Sequence, residues 1–323
     1  MSQILPTRMQ AAALDQYGGP EVITPHTLDV PDVADDELLL EVHTAGVGVW
    51  DAFAREGKMV PEGATLPLVL GTDAAGTVLA IGQQVANVAV GDAVYLYSYT
   101  RSKGGFYAQY GVTKAVYAAP IPAGLSLEQA GAMPADALTA LSGLDTLALA
   151  EGSTLLIVGA SGGLGHLALQ LAKRQGLKVI AVASGDDGVA LVERLGADLA
   201  LDGHAQSSDL SAQIRDFAQG GVDGLLALTG GVVLSNLLPT VRQGSLIAHP
   251  NGVQPPQGTP GGVEVKAYNG VTSPEQLKRL NDFIAAGPFE VYIEQSFPLN
   301  EASQAHERMQ QHYLGKLALR VSD

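Results

Sequence analysis

The strongest chemical signal in the chain is the run Val158-Gly159-Ala160-Ser161-Gly162-Gly163-Leu164-Gly165. Glycines at this spacing let a backbone turn sharply, approach a pyrophosphate and pack the following helix close to the preceding strand. The start of that helix adds unpaired N–H groups and the positive end of its dipole. Ser161, Gly162, Gly163 and Leu164 are therefore expected to hold the diphosphate of a dinucleotide. The competing reading is a tight strand-to-helix turn with no ligand, since such turns are common.

The choice of dinucleotide rests on the end of the next strand. An acid there accepts from the ribose 2′-OH of NAD. Here the strand ends Val182-Ala183-Ser184-Gly185, with no acid at its tip. Ser184 can donate to a 2′-phosphate, which points to NADPH, with NADH as the other possibility. Asp186 and Asp187 follow with no Lys or Arg adjacent, and both suit a helix N-terminus.

These residues need elements to position them. Leu155–Val158 is a continuous apolar run, as expected of a strand buried on both faces. After the glycines, Leu164, Leu167, Ala168 and Leu171 recur at the spacing of one buried helix face. Lys178–Ala183 reads as the next strand and Asp187–Leu195 as the next helix, with further strands at Leu199–Leu201, Gly224–Leu228 and Ser245–Ala248. That alternation predicts an α/β fold built on a doubly wound parallel sheet.

The first third reads differently. Leu38–Val42, Ala74–Ile81 and Ala93–Tyr97 are short strands punctuated by Gly71, Gly76, Gly82 and Gly91, the pattern of a small barrel or strongly bent sheet. Beyond the parallel sheet, Pro274–Ala286, with Ser273 as N-cap, and Glu301–His312 read as helices. Pro255–Gly262 is the most linker-like stretch. There is no internal repeat.

Composition bounds the rest. A chain of 323 residues with 46% hydrophobic and 16% charged residues suits two globular domains. The net charge of −15 disfavours nucleic acid and anionic membranes as partners, so an anionic cofactor must be held by local donors against the overall field. The absence of cysteine removes disulfides, thiolate nucleophiles and every Cys-containing zinc site. Neither an apolar run of signal length at Met1–Gln10 nor a span of about 20 apolar residues elsewhere is present, so a cytoplasmic protein is expected. The seven histidines form no metal-binding array, and His43, His166 and His204 read most simply as surface or supporting residues.

Over about Met9 to Val321 the chain resembles the zinc-independent quinone oxidoreductase branch of the medium-chain dehydrogenases, the group that includes zeta-crystallin. The residues carrying the resemblance are Tyr17 to Val22, Ala45-Gly46-Val47 followed by Asp51, Gly71 to Val78, Val90 to Val94, Gly105 to Tyr110, Leu138-Thr139-Ala140, the glycine loop and Gly315-Lys316. It implies a GroES-like β-rich catalytic domain over 1–126 and 267–323, a Rossmann domain over 127–266, substrate in the cleft between them, and a homodimer through an exposed edge of the Rossmann sheet.

Departures from related patterns are equally informative. Zinc alcohol dehydrogenases carry Gly-His-Glu where this chain has Gly71-Thr72-Asp73, and they need a cysteine. Reaction without metal is therefore expected. Members of the quinone reductase branch often place Asn three residues before the Asp and Tyr two after it; here those positions are Gly48 and Phe53. Trp50 beside them reads either as packing or as lining.

Hydride transfer needs the acceptor held close to the nicotinamide, water excluded, and one donor for the developing oxyanion. Asp51 either orients a water or is a structural carboxylate bonded to backbone. Thr72, at the lost zinc-ligand position, and Tyr97 are candidate donors to substrate, with Tyr268 a further speculative one. Thr139 matches a family position against the nicotinamide, and Asn251 matches another; Gly252, Thr229 and Gly230 border the same end. Asp136 is an N-terminal helix acid or a cleft acid. The expectation is an NADPH-dependent oxidoreductase passing hydride to a small hydrophobic quinone or enone, with Val47, Val49, Trp50 and Phe53 supplying an apolar surface. The alternatives are an NADPH-binding protein with little turnover and a metal-free alcohol or carbonyl oxidoreductase.

Overall fold

The computed structural model describes residues 5–60, 62–99 and 103–322. They divide into one unit built from both ends of the chain, up to Ala135 and again from Thr272, and a second formed by Asp136–Val271.

In the first unit, β1 (Arg8–Leu14) pairs antiparallel with β2 (Ile23–Asp29). There follow β3 (Glu37–Val47), α1 (Val49–Arg55), β4 (Leu68–Val69), β5 (Asp73–Ile81), β6 (Ala93–Tyr97), β7 (Tyr110–Lys114), β8 (Ala118–Pro120) and α2 (Leu127–Ala132). The strands expected at Leu38–Val42, Ala74–Ile81 and Ala93–Tyr97 lie within β3, β5 and β6. Consecutive Leu38, Leu39 and Leu40 are all buried, so β3 is covered on both faces, with β5 on one edge and β7 on the other. The strand continues to Val47, and Gly48, the N-cap of α1, is the one residue between strand and helix.

The helix α3 (Pro134–Leu147) leads into the second unit. There β9 (Thr154–Val158), α4 (Gly163–Arg174), β10 (Lys178–Ala183), α5 (Gly185–Arg194), β11 (Leu199–Asp202), α6 (Ser207–Phe217), β12 (Val222–Ala227), α7 (Val232–Leu237), β13 (Val241–Pro250) and β14 (Glu264–Tyr268) alternate. The strand order is β11-β10-β9-β12-β13-β14, parallel throughout. This is the doubly wound sheet that the alternation predicts. Leu155, Leu156, Ile157 and Val158 are buried, as are Leu167, Ala168 and Leu171 of α4, whereas Leu164 stays half-exposed at the helix start.

Of the strands in this parallel sheet, one escapes the sequence reading. In β14 the charged Glu264 and Lys266 alternate with Val265 and Ala267 on an edge strand, so the segment lacks the apolar run that marks the interior strands. The sequence places the domain divisions at 126/127 and 266/267. The units divide at 135/136 and 271/272, so that β14 stays whole in its sheet.

The chain then returns to the first unit through α8 (Pro274–Ala285), β15 (Ile293–Pro298), α9 (Ala302–Arg308) and β16 (Lys316–Arg320). Ser273 Oγ accepts from Gln276 N at 3.2 Å, the N-cap expected for α8. The helix expected over Glu301–His312 is shorter, because Arg308 Nη1 donates to His312 O at 2.6 Å and turns the chain back on itself. In the sheet, β16 lies between β15 and β3. Among the described residues no helix is long and apolar enough to cross a membrane.

Candidate active site

Gly159 follows β9 with φ of 90°, a conformation that glycine adopts without steric cost. Its N–H and that of Ala160 both donate to Val182 O at 3.0 Å, which anchors the loop to β10. A Cβ on Gly165 would stand 2.2 Å from Gly159 O and 2.7 Å from Ala160 Cα, so α4 packs directly on the turn. Gly162 is different. It is the N-cap of α4, and a Cβ there would meet only Gly159 O, at 3.6 Å. The loop is therefore closed behind, where the helix meets the strand, and open in front of the helix start. A diphosphate fits this cradle: small residues leave it room, and the first turn of α4 points its N–H groups outward.

Ser161 is buried, and its Oγ accepts from Ser184 N at 3.3 Å, joining the loop to the tip of β10. Ser184 itself is half-buried and is the N-cap of α5. Thr229, exposed just beyond β12, brings Cγ2 within 3.3 Å of the position a Cβ on Gly159 would occupy. Strand order reverses between β9 and β12, and ligands of open α/β sheets bind outside the strand ends at such switch points. Gly230 continues the same loop.

A second cluster gathers at the ends of β13 and β14. Asn251 N donates to Tyr268 O at 3.0 Å and Asn251 Nδ2 to Asn269 Oδ1 at 2.8 Å; Asn251 and Gly252 are both exposed. Thr139 is buried in α3, where its Oγ1 would be 2.3 Å from a Cβ on Gly270. The Tyr268 hydroxyl is buried without a hydrogen-bond partner among the described residues. Burial raises its pKa, and the Asp136 carboxylate in the first turn of α3 raises it further.

In the first unit the decisive arrangement surrounds Asp51. Its Oδ1 accepts from Gly71 N at 3.1 Å and its Oδ2 from Gly48 N at 3.2 Å. Asp51 is the third residue of α1, and reaching back to the N-cap N–H is half of a capping box. Tyr107 Oη lies 3.4 Å from the same Oδ2 and 3.2 Å from His306 Nε2, while His306 Nδ1 lies 3.0 Å from Arg55 Nη1. All four side chains are buried.

The donors in this chain follow from chemistry. A guanidinium only donates, so His306 Nδ1 accepts and the ring carries its proton on Nε2. Nε2–H then donates to Tyr107 Oη, which leaves the phenolic hydrogen for Asp51. Burial, with Arg55 as a second cause, lowers the His306 pKa to about 3, so the ring is neutral. Arg55 also donates from Nε to Gly18 O and from Nη2 to Glu56, each at 3.0 Å.

Thr72 and Asp73 follow Gly71. Thr72 Oγ1 donates to Asp73 Oδ1 at 3.3 Å, and that oxygen also accepts from Ala135 N at 3.1 Å. Tyr97 is opposite Asp73 in the β5–β6 pairing. Thr72, Asp73 and Tyr97 thus meet beside the loop that Asp51 holds. Trp50 and Phe53, both half-buried, pack edge to face with centroids 5.9 Å apart; Val49 is exposed and Val47 is buried in the core. Among the described residues no group of three or more His, Asp or Glu is placed to hold a metal ion.

Two family models match: the alcohol dehydrogenase GroES-like domain over 34–123 and the zinc-binding dehydrogenase over 163–252. The quinone oxidoreductase of Sus scrofa is 30% identical over 314 residues, covering 93% of each chain. The chain belongs to the quinone oxidoreductase branch of the medium-chain dehydrogenase/reductase superfamily. A 2-methylene-furan-3-one reductase of Solanum lycopersicum is 29% identical, covering 92% of this chain and 74% of its own. Among solved structures, the Escherichia coli quinone oxidoreductase complexed with NADPH superposes with a TM-score of 0.83 at 26% identity, over 98% of this chain and all of that one.

Within this branch the chain is an oxidoreductase, with a GroES-like unit and a Rossmann unit. Sequence reasoning missed the partners of Asp51. Tyr107 lies inside the marker Gly105 to Tyr110 without an assigned role, and nothing links Arg55 to His306 in sequence. Of the two readings of His166, surface needs correction and supporting stands: it is wholly buried in α4, with Nδ1 3.0 Å from Gly162 O. An aromatic ring at that depth follows from its place on the inner face of the helix, which its polarity concealed.

Proposed function

We propose that this oxidoreductase uses NADPH to reduce a quinone or an activated alkene without a metal ion. The observation that carries the reading is an open glycine cradle at Gly162 beside a strand tip occupied by Ser184 rather than an acid. The named activities of the Sus scrofa and Solanum lycopersicum relatives support the substrate class, and the NADPH complex of the Escherichia coli relative supports the cofactor.

The N–H groups of Gly163 and Leu164 would hold the diphosphate, with Ser161 fixing the loop and Ser184 facing the adenosine ribose. Thr139, Thr229, Gly230, Asn251 and Gly252 would position the nicotinamide half. NADPH, when bound, supplies the hydride. Oxyanion stabilisation falls to a hydroxyl or backbone N–H, for which Thr72 and Tyr97 are the candidates, and water supplies the proton. Asp51 is a positioning residue, because both its oxygens already accept hydrogen bonds from the loops that carry Gly48 and Gly71. Zinc chemistry is disfavoured by residue type: the protein has no cysteine, and Thr72-Asp73 stands where zinc alcohol dehydrogenases carry His-Glu.

The test is oxidation of NADPH and NADH in parallel, with simple quinones and enones as acceptors. Turnover with NADPH preferred supports the reading, and no turnover with either nucleotide across the panel rejects it. Gly48 and Phe53, standing where relatives often carry Asn and Tyr, favour one second reading, a nucleotide-binding protein with little turnover. Tight binding without turnover marks that case. A homodimer through the edge strand β14 completes the proposal, and light scattering in solution tests it.

A further inference from the structure

At the tip of β10 the Ser184 hydroxyl lies 3.3 Å from His204 Nε2, and His204 Nδ1 lies 3.3 Å from Asp202 Oδ1. Backbone fixes this corner. Gly203 N donates to Ala183 O at 2.8 Å, and Gly185 N and His204 N each donate to Asp202 Oδ1 at 3.0 Å. The imidazole itself is largely exposed, at 69%.

The surroundings are short of cations. Between Lys178 and Arg215 the only side chains able to carry positive charge are Arg194 and His204. Arg194 sits in the last turn of α5, away from its Ser184 end. The segment 216–241, whose Val233 would approach a Cβ on Gly203 to 3.7 Å, has no Lys, Arg or His. Carboxylates abound instead: Asp202 against the ring, Asp186 and Asp187 in the first turn of α5, and Asp209 in the first turn of α6. Among the described residues of these segments, His204 is thus the one group able to carry positive charge that lies against Ser184, and the acids are more numerous.

We propose that His204, acting with Ser184, recognises the 2′-phosphate of the cofactor, and that protonation of His204 sets the choice between NADPH and NADH. This rests on the NADPH reading above. A neutral ring that keeps Nδ1–H on Asp202 presents Nε2 as an acceptor, and the Ser184 hydroxyl donates to it. Neither group then serves the phosphate. Adding a proton turns Nε2 into a charged donor and releases the Ser184 hydroxyl, so one proton delivers two donors. NADH loses nothing in the neutral state, because its 2′-OH can itself donate.

The test is calorimetric binding of 2′,5′-ADP and 5′-AMP to the full chain at about pH 6 and about pH 8. The expected preference for 2′,5′-ADP falls about tenfold between the two, the size of one charge-assisted hydrogen bond. His204→Arg should keep the preference at both pH values, and His204→Gln should leave it weak at both. The phosphate's own second ionisation raises its charge between these values in every variant, so the histidine's effect is the wild-type change measured against that of the Arg variant. An unchanged preference in wild type, or a Gln variant that follows wild type, overturns the role of His204 while the NADPH reading stands. Preference for 5′-AMP at both pH values, or binding of neither nucleotide, overturns both.

Discussion

Arg55 Nη1 stands 3.0 Å from His306 Nδ1, a buried hydrogen bond between residues 251 positions apart. It joins the end of α1 to α9, and through Tyr107 it reaches the carboxylate that holds the Gly48 and Gly71 loops. The geometry of those loops is thus tied to a helix near the other end of the chain.

Acid should weaken the fold through this histidine. Its pKa falls from 6.5 to about 3 on folding, so below 6.5 the unfolded chain takes up a proton that the folded one refuses. Stability is full above that value and declines as pH falls toward 3, by up to about 1.4 kcal/mol per pH unit. Urea midpoints measured between about pH 7 and about pH 5 should drop in wild type and drop less in His306→Gln. Equal slopes in the two proteins would show that the ring does not carry the effect.

Arg55→Lys keeps the charge and loses the fork. One ammonium cannot reproduce the three directions toward Gly18 O, Glu56 and His306 at once. A loss of about 2–4 kcal/mol is expected at neutral pH, read from urea unfolding. A loss below about 0.5 kcal/mol, the usual range for surface changes, would place the side chain outside the network.

Asp51→Asn replaces one acceptor oxygen by an amide donor. Either Gly48 N or Gly71 N then faces no acceptor, at a cost of about 1–3 kcal/mol. Catalytic efficiency should fall while nucleotide affinity, which the proposed function assigns to the other unit, stays within about twofold. A variant that loses nucleotide binding to the same degree as turnover contradicts a role confined to the loops.

Two glycines of the cradle separate folding from binding. Gly165→Ala forces a methyl within 2.2 Å of Gly159 O, so soluble yield and thermal stability should fall sharply. Gly162→Ala meets only a 3.6 Å contact and adopts an ordinary φ of −78°. It should fold normally and bind the dinucleotide about tenfold or more weakly, because its methyl occupies the space in front of the helix. Binding measured by calorimetry checks the second and circular dichroism the first.

What the sequence discloses depends on how far its signals reach. The doubly wound sheet is legible because interior parallel strands are unbroken apolar runs, as at Leu155–Val158, and because the glycine loop marks the first strand-to-helix turn. Edge strand β14 is not, since Glu264 and Lys266 interrupt its pattern. Ser184 can be named from its place at a strand end, and Asp51 and Asn251 from the family resemblance. The Arg55–His306–Tyr107 connection cannot, because no periodicity spans it and each residue alone resembles an ordinary surface polar group.

The position of β16 also bears on the order in which the protein can be made. This strand, Lys316–Arg320, pairs with the Thr44–Val47 end of β3, and α9 just before it supplies the partner of buried Arg55. Residues 136–271 leave the ribosome as one uninterrupted segment and can assemble their sheet while synthesis continues. The unit that contains Asp51 must wait for its last strand, with the Thr44–Val47 edge and the Arg55 guanidinium uncovered until then. A nascent chain therefore carries a complete parallel-sheet unit well before its other unit can close, and that interval is when a chaperone has most to protect.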